Sequence, residues 1–134
     1  MTSEMLTAPV TDAITEQFDP VACLSSRDLR RASAVEPGEP GRYISVEGPD
    51  QVLLIPLGTE VLHVGRGLSV DLQLDDDSVS RRHAIITPRG SGVEILDDRS
   101  LNGTFVNGRR IEHVALRDDD VITIGRFALR YIAA

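Results

Sequence analysis

The sequence contains no lysine, no tryptophan and a single cysteine, Cys23, in 134 residues. One thiol excludes an internal disulfide framework. With no tryptophan and only 4% aromatics, a core has to be built largely from Val, Ile and Leu. There is no run of about 18 apolar residues that could cross a bilayer. Nor is there an N-terminal basic stretch followed by an apolar segment of the kind that directs secretion, so a soluble, cytoplasmic protein is expected. Excess positive charge is missing as well, since the formal net charge is −7. A general nucleic-acid binder needs a basic face to neutralise phosphates. Neither nucleic acid nor a membrane is therefore expected as a partner. Binding of one phosphate is not excluded, because that depends on local charge.

What is present begins with arginine, which supplies all 14 basic residues. Each is a planar, permanently charged fork suited to phosphate or carboxylate. The length fits one domain, and 11 glycines and 7 prolines indicate many turns.

The composition shifts near Pro40-Gly41. Residues 1–41 hold seven acids and three arginines, a net of −4, and their apolar periodicity is poor. Glu36-Pro37-Gly38-Glu39-Pro40-Gly41 reads as a linker. The expectation for 1–41 is an acidic, mostly disordered tail with one short helix within 20–34. Asp19 would be its N-cap and Pro20 would sit in its first turn.

Residues 42–134 form the expected folded domain. Short apolar segments at 43–47, 52–57, 61–65, 70–74, 84–88, 93–96, 104–106, 121–124 and 126–132 alternate with turn residues. Asn107-Gly108 is a strong two-residue hairpin signal, because a type I′ turn needs positive φ at both positions. Many short strands at close spacing predict an all-β sandwich or barrel.

Three polar clusters sit at strand ends: Gly65-Arg66-Gly67, Ser78-Val79-Ser80-Arg81-Arg82-His83, and Arg99-Ser100-Leu101-Asn102-Gly103-Thr104. Loops at one end of a sandwich can converge although far apart in sequence, and binding residues are often placed on them. Together the clusters supply guanidinium forks, a hydroxyl and a side-chain amide. That is equipment for a dianionic phosphate on a peptide: Arg for bidentate charge-assisted bonds, Ser for an O–H donor, Asn for a backbone in both directions. In an extended chain Arg81 and Arg82 cannot face the same way. Arg81 is the one expected at the site, with Arg82 in ion pairing.

The ordered set Gly65-Arg66, Ser80-Arg81-Arg82-His83, Ser100-Leu101-Asn102-Gly103-Thr104 and Asn107-Gly108 resembles the forkhead-associated (FHA) domain over about residues 42–132. The whole chain is similar to small actinobacterial single-FHA regulators, although the paired threonines of their phosphorylated tails are absent. The resemblance implies an FHA-like β-sandwich of about eleven mostly antiparallel strands. It also implies phosphothreonine-dependent binding of a partner protein in Ser/Thr kinase signalling, with no catalysis and no cofactor, by a chain expected to be a monomer. Arg66, Ser80 and Arg81 would bind phosphate oxygens, and Asn102 would hold the peptide backbone. Ser100 and Leu101, in the same loop, would contribute backbone groups. Gly65, His83, Gly103, Asn107 and Gly108 would be structural, with Gly65 positioning Arg66 and His83 bracing the loop of Ser80.

Rival readings are weaker. Ser80, His83 and Asp97 superficially suggest a hydrolase, yet Ser80 lacks a G-x-S-x-G elbow. Asp75-Asp76-Asp77 and Asp118-Asp119-Asp120 are rich in carboxylate but lack calcium-loop spacing, so no metal is expected. A phosphate-independent scaffold remains the alternative function. Thr7, Thr11 and Thr15 are candidate phosphosites through which the domain could bind its own tail, helped by high effective concentration. Arg30-Arg31-Ala32-Ser33 resembles a basophilic kinase site.

Overall fold

The computed structural model describes residues 18–36 and 38–134. Thr7, Thr11 and Thr15 lie outside the described residues. Among the described residues a 3-10 helix, Pro20–Cys23, and an α-helix, α1 (Ser26–Ser33), precede eleven strands. These are β1 (Arg42–Glu47), β2 (Val52–Pro56), β3 (Leu62–Gly65), β4 (Leu72–Gln73), β5 (Ala84–Arg89) and β6 (Gly92–Asp97). The remainder are β7 (Thr104–Val106), β8 (Arg109–Ile111), β9 (His113–Ala115), β10 (Val121–Ile124) and β11 (Phe127–Ala133). One sheet has the order β2-β1-β11-β10-β7-β8 and the other β4-β3-β5-β6-β9. Among the described strands the β3–β4 pair alone is parallel. The expected β-sandwich of about eleven mostly antiparallel strands is the fold observed.

Period-two patterning decides which side chains enter the space between the sheets. In β10, Ile122 and Ile124 are fully buried while Val121 and Thr123 are half-buried. Ile44, Val46, Ile55, Val64, Leu72, Ile86, Ile95, Phe127 and Leu129 complete the same core. Aliphatic residues dominate, as the shortage of aromatics requires.

The helical segment begins as the sequence suggests: the Asp19 side chain accepts from the Val21 N–H at 3.0 Å and Pro20 opens the 3-10 helix. The expected single helix is instead broken at Leu24-Ser25, because Ser25 caps α1 by accepting from the Asp28 N–H at 3.1 Å. Leu24 there forms an isolated bridge with Leu74. From Asp19 onward the segment is part of the packed body, with Val21, Leu24 and Ala32 in the core. Asp28, at 0% exposure, accepts from the Gln73 N–H (3.1 Å) and the Ser25 hydroxyl (3.0 Å), and Arg31 lies 3.4 Å away. Arg27 donates to the Val70 and Asp71 carbonyls at 2.9 and 2.8 Å. Helix α1 thereby clamps β4 and the connection that leads to it.

The register carries three loops to one tip. Val64 pairs with Ala84, and Ala84 with Asp97, so the exit of β3, the entry of β5 and the exit of β6 share an end of the sheet. Thr104, the first residue of β7, pairs with Ile124 of β10, which puts the 125–126 turn at the entry of β7 in the other sheet. Asn107 and Gly108 form the β7–β8 turn with φ of 51° and 83°, the left-handed pair a type I′ turn requires. Asn107 also ties β10 down, accepting from the Val121 N–H at 2.9 Å.

Candidate functional site

Gly65 makes the site possible. A Cβ built on it would lie 2.1 Å from the Arg81 carbonyl oxygen and 3.0 Å from that of Ser80. Only glycine lets the β3 exit approach the 80–81 backbone so closely. The approach is fixed by two backbone bonds, Arg66 N–H to the Ser80 carbonyl at 3.0 Å and Gly67 N–H to the Arg81 carbonyl at 3.1 Å. Arg66 and Ser80 are therefore neighbours at the same tip. The Arg66 Nε donates to the Val79 carbonyl at 3.0 Å, and Gln73 Nε2 donates to the Arg66 carbonyl at 3.2 Å. This holds the stem of the side chain, and among the described residues neither terminal guanidinium nitrogen has a hydrogen-bond partner.

Ser80 is held at three points. Its carbonyl receives Arg66, its N–H donates to His83 Nδ1 at 3.0 Å, and its Oγ accepts from the Leu101 N–H at 2.9 Å. With one lone pair of Oγ occupied by an incoming N–H, the hydroxyl proton is available to an acceptor above the tip. His83 is fully buried and bridges two loops. Because Nδ1 accepts, Nε2 carries the proton and donates to the Gly103 carbonyl at 2.9 Å. Histidine thus fastens the 78–83 loop to the 98–103 loop through both ring nitrogens.

The third loop is built around Asp97, which the sequence reading considered only as a hydrolase acid. It accepts from the hydroxyls of Ser100 and Thr104 (the latter at 2.7 Å) and from the Ser100 N–H at 3.2 Å. Burial pushes its pKa up, but the hydrogen bonds from Ser100 and Thr104 outweigh this and leave it below the usual carboxylate value. The Ser100 hydroxyl also accepts from the Gly103 N–H at 2.9 Å. Ser100 therefore points its side chain into the loop and shapes it, whereas Leu101 is 85% exposed at the tip. Gly103 has φ of 96°, and the Arg110 guanidinium packs where its Cβ would be, with Nε at 2.8 Å. Asn102 is exposed and its side chain has no hydrogen-bond partner among the described residues.

The two neighbouring arginines differ in their partners although both line the same grooves. Arg82 pairs with Asp98 at 3.0 Å, while Arg81 is exposed and unpaired among the described residues. A shallow groove lined by Arg66, Gly67, Leu68, Ser69, Arg81 and Arg82 adjoins a second lined by Ser80, Arg81, Arg82, Asp98 and Arg99. Leu68 is 92% exposed on the rim. Asp97, Arg99, Leu68 and Arg110 were not assigned roles from sequence. Their signal is positional, since each lies within a few residues of a motif residue.

The runs of aspartate elsewhere are used internally. Asp76 binds Arg126 and Ser78, Asp118 accepts from the Ala133 N–H, Asp119 pairs with Arg130, and Asp120 accepts from Asn107 and the Arg117 N–H. Among the described residues no three His, Cys, Asp or Glu side chains are grouped to hold a metal ion, and no helix is long and apolar enough to cross a membrane.

Comparisons with known proteins bear on the family and the fold. The profile of the FHA domain matches residues 62–125. The glycogen accumulation regulator GarA of Mycobacterium tuberculosis is 34% identical over 102 residues, covering 75% of this chain and 63% of that protein. The oxoglutarate dehydrogenase inhibitor of Corynebacterium diphtheriae is 34% identical over 96 residues, covering 72% of this chain and 67% of that protein. The chain thus spans just under two thirds of GarA and about two thirds of the inhibitor. A solved structure from a study of phosphothreonine-dependent FHA domain interactions has a TM-score of 0.62 at 29% identity, covering 69% of this chain and 96% of that one. The fold, the convergent loops and these relatives together make the chain a member of the FHA domain family.

Proposed function

We propose that the tip formed by Arg66, Ser80, Arg81 and Asn102 binds phosphothreonine on a partner protein in Ser/Thr kinase signalling, and that the chain performs no catalysis. The observation that supports this reading is the Arg66–Ser80 juxtaposition, in which the two terminal guanidinium nitrogens have no hydrogen-bond partner among the described residues and the Ser80 hydroxyl proton is not used. Arg66 and Arg81 would grip the phosphoryl oxygens, Ser80 would donate one further hydrogen bond, and the Asn102 amide would bond the peptide backbone on both its donor and acceptor sides. Leu101 and Leu68 offer apolar contact to flanking side chains.

A hydrolytic alternative is not supported. His83 is engaged at both nitrogens and meets the backbone of Ser80, not its hydroxyl, and Asp97 bonds Ser100 and Thr104. The names of the relatives, a regulator and an enzyme inhibitor, support a regulatory partner.

Three or four charge-assisted bonds of roughly 1.5–3 kcal/mol each, less ordering costs, suit a complex near −8 kcal/mol, or about micromolar. Titration of matched peptides carrying Thr, phosphothreonine or phosphoserine checks this. The phosphothreonine peptide should bind tightest and the unmodified peptide at least about 100-fold more weakly. Equal binding of the unmodified peptide would favour the phosphate-independent scaffold.

A further inference from the structure

Arg99 occupies left-handed backbone, with φ of 62°. Such a conformation costs a side-chain-bearing residue energy that glycine avoids and asparagine largely avoids. Strained positions of this kind cluster at functional sites. Arg99 is exposed and has no hydrogen bond or ion pair among the described residues. It lines a groove with Ser80, Arg81, Arg82 and Asp98, immediately beside the groove that holds Arg66. Arg66, Ser80 and Arg81 are accounted for by one phosphoryl group, and Arg82 and Asp98 neutralise each other at 3.0 Å. That leaves the Arg99 guanidinium without a counter-charge. Three guanidiniums against one carboxylate give the groove a formal charge of +2 in a chain whose net charge is −7.

We propose that this groove is a second anion subsite, with Arg99 as the residue that reads a negatively charged group close to the phosphothreonine on the same peptide. The proposal rests on the phosphopeptide reading of the Arg66 site. The ligand chemistry is a compact anion, either a carboxylate side chain or a second phosphoryl group. An Arg fork accepts both, the dianion more strongly. A partner with neutral residues around its phosphothreonine would fill the Arg66 site and leave Arg99 unsatisfied, so the subsite would rank partners that share the same primary contact.

The test uses the full chain and a phosphothreonine peptide with neutral flanks. Companion peptides carry one glutamate, or one further phosphothreonine, at successive positions within about three residues on either side. At the best position, glutamate should tighten binding by about 3- to 10-fold over the neutral parent, and phosphate by more. Arg99→Gly should bring that ratio down to about 1 while the thermal midpoint holds or rises, because glycine relieves the backbone at this position. Arg99→Asn should do the same. Response to phosphate but not glutamate would identify a doubly phosphorylated partner, and response to glutamate an acidic one. The proposal is overturned if wild type prefers no anion at any position, or if either Arg99 variant keeps the wild-type ratio. Arg66→Ala separates the two levels. If it binds every peptide like wild type, the underlying phosphopeptide reading fails. If it abolishes binding while Arg99→Gly leaves the ratio intact, only the subsite fails.

Discussion

Alanine at Gly65 would drive a methyl group into the backbone of the neighbouring loop. The nearest atoms are the Arg81 carbonyl oxygen at 2.1 Å, its carbonyl carbon at 2.8 Å and the Ser80 carbonyl oxygen at 3.0 Å. None belongs to a flexible side chain, so the strand exit and the 80–81 segment must part. Overpacking of this kind costs about 1–3 kcal/mol. The separation also strains the Arg66–Ser80 and Gly67–Arg81 backbone bonds, each with a net worth of about 1 kcal/mol. A loss of about 3 kcal/mol in urea unfolding is expected. Where the variant still folds, phosphopeptide affinity should fall by at least about tenfold, since the two side chains proposed to bind phosphate have moved apart. A change under about 0.5 kcal/mol with unaltered binding would refute the claim that this close approach builds the site.

Asp28→Ala should destabilise the chain by about 1–3 kcal/mol in urea melts, because it leaves the Gln73 N–H and the Ser25 hydroxyl without their acceptor while Arg31 keeps the Pro56 carbonyl; a loss under about 0.5 kcal/mol would show that α1 is only loosely attached. Hydrogen bonding from Arg126 lowers the Asp76 pKa from 3.8 to about 2, against the opposing effect of burial and with further help from Ser78. Since the folded pKa lies below the unfolded one, this contribution is fully present above about pH 4 and is lost as pH falls toward 2. Its size is about 1–2 kcal/mol once screening around the exposed Arg126 is allowed for. Arg126→Gln should flatten that acid limb of the stability profile, and an unchanged profile would contradict the assignment.

The sequence shows most of the site because the motif residues carry their own chemistry. The hairpin at Asn107-Gly108 follows from a local rule of backbone geometry. What stayed hidden depends on partners distant in the chain. Strands β8 and β9 are three residues each at sheet edges, with exposed Arg109, Arg110 and His113, so they lack the apolar alternation that marks a strand. The segment around α1 reads as a polar tail because Asp28 and Arg27 look solvated until β4 and its approach supply their partners. The loop-shaping role of the Ser100 hydroxyl is likewise hidden until Asp97 and the Gly103 N–H supply its partners.

In the proposed function, phosphate recognition turns on the Arg66 fork. Isothermal titration of Arg66→Ala against a phosphothreonine peptide should show binding weakened by at least about 100-fold with the unfolding midpoint near wild type, as expected for losing two charge-assisted bonds. Affinity within about twofold of wild type would contradict the assignment of this tip as the phosphothreonine site.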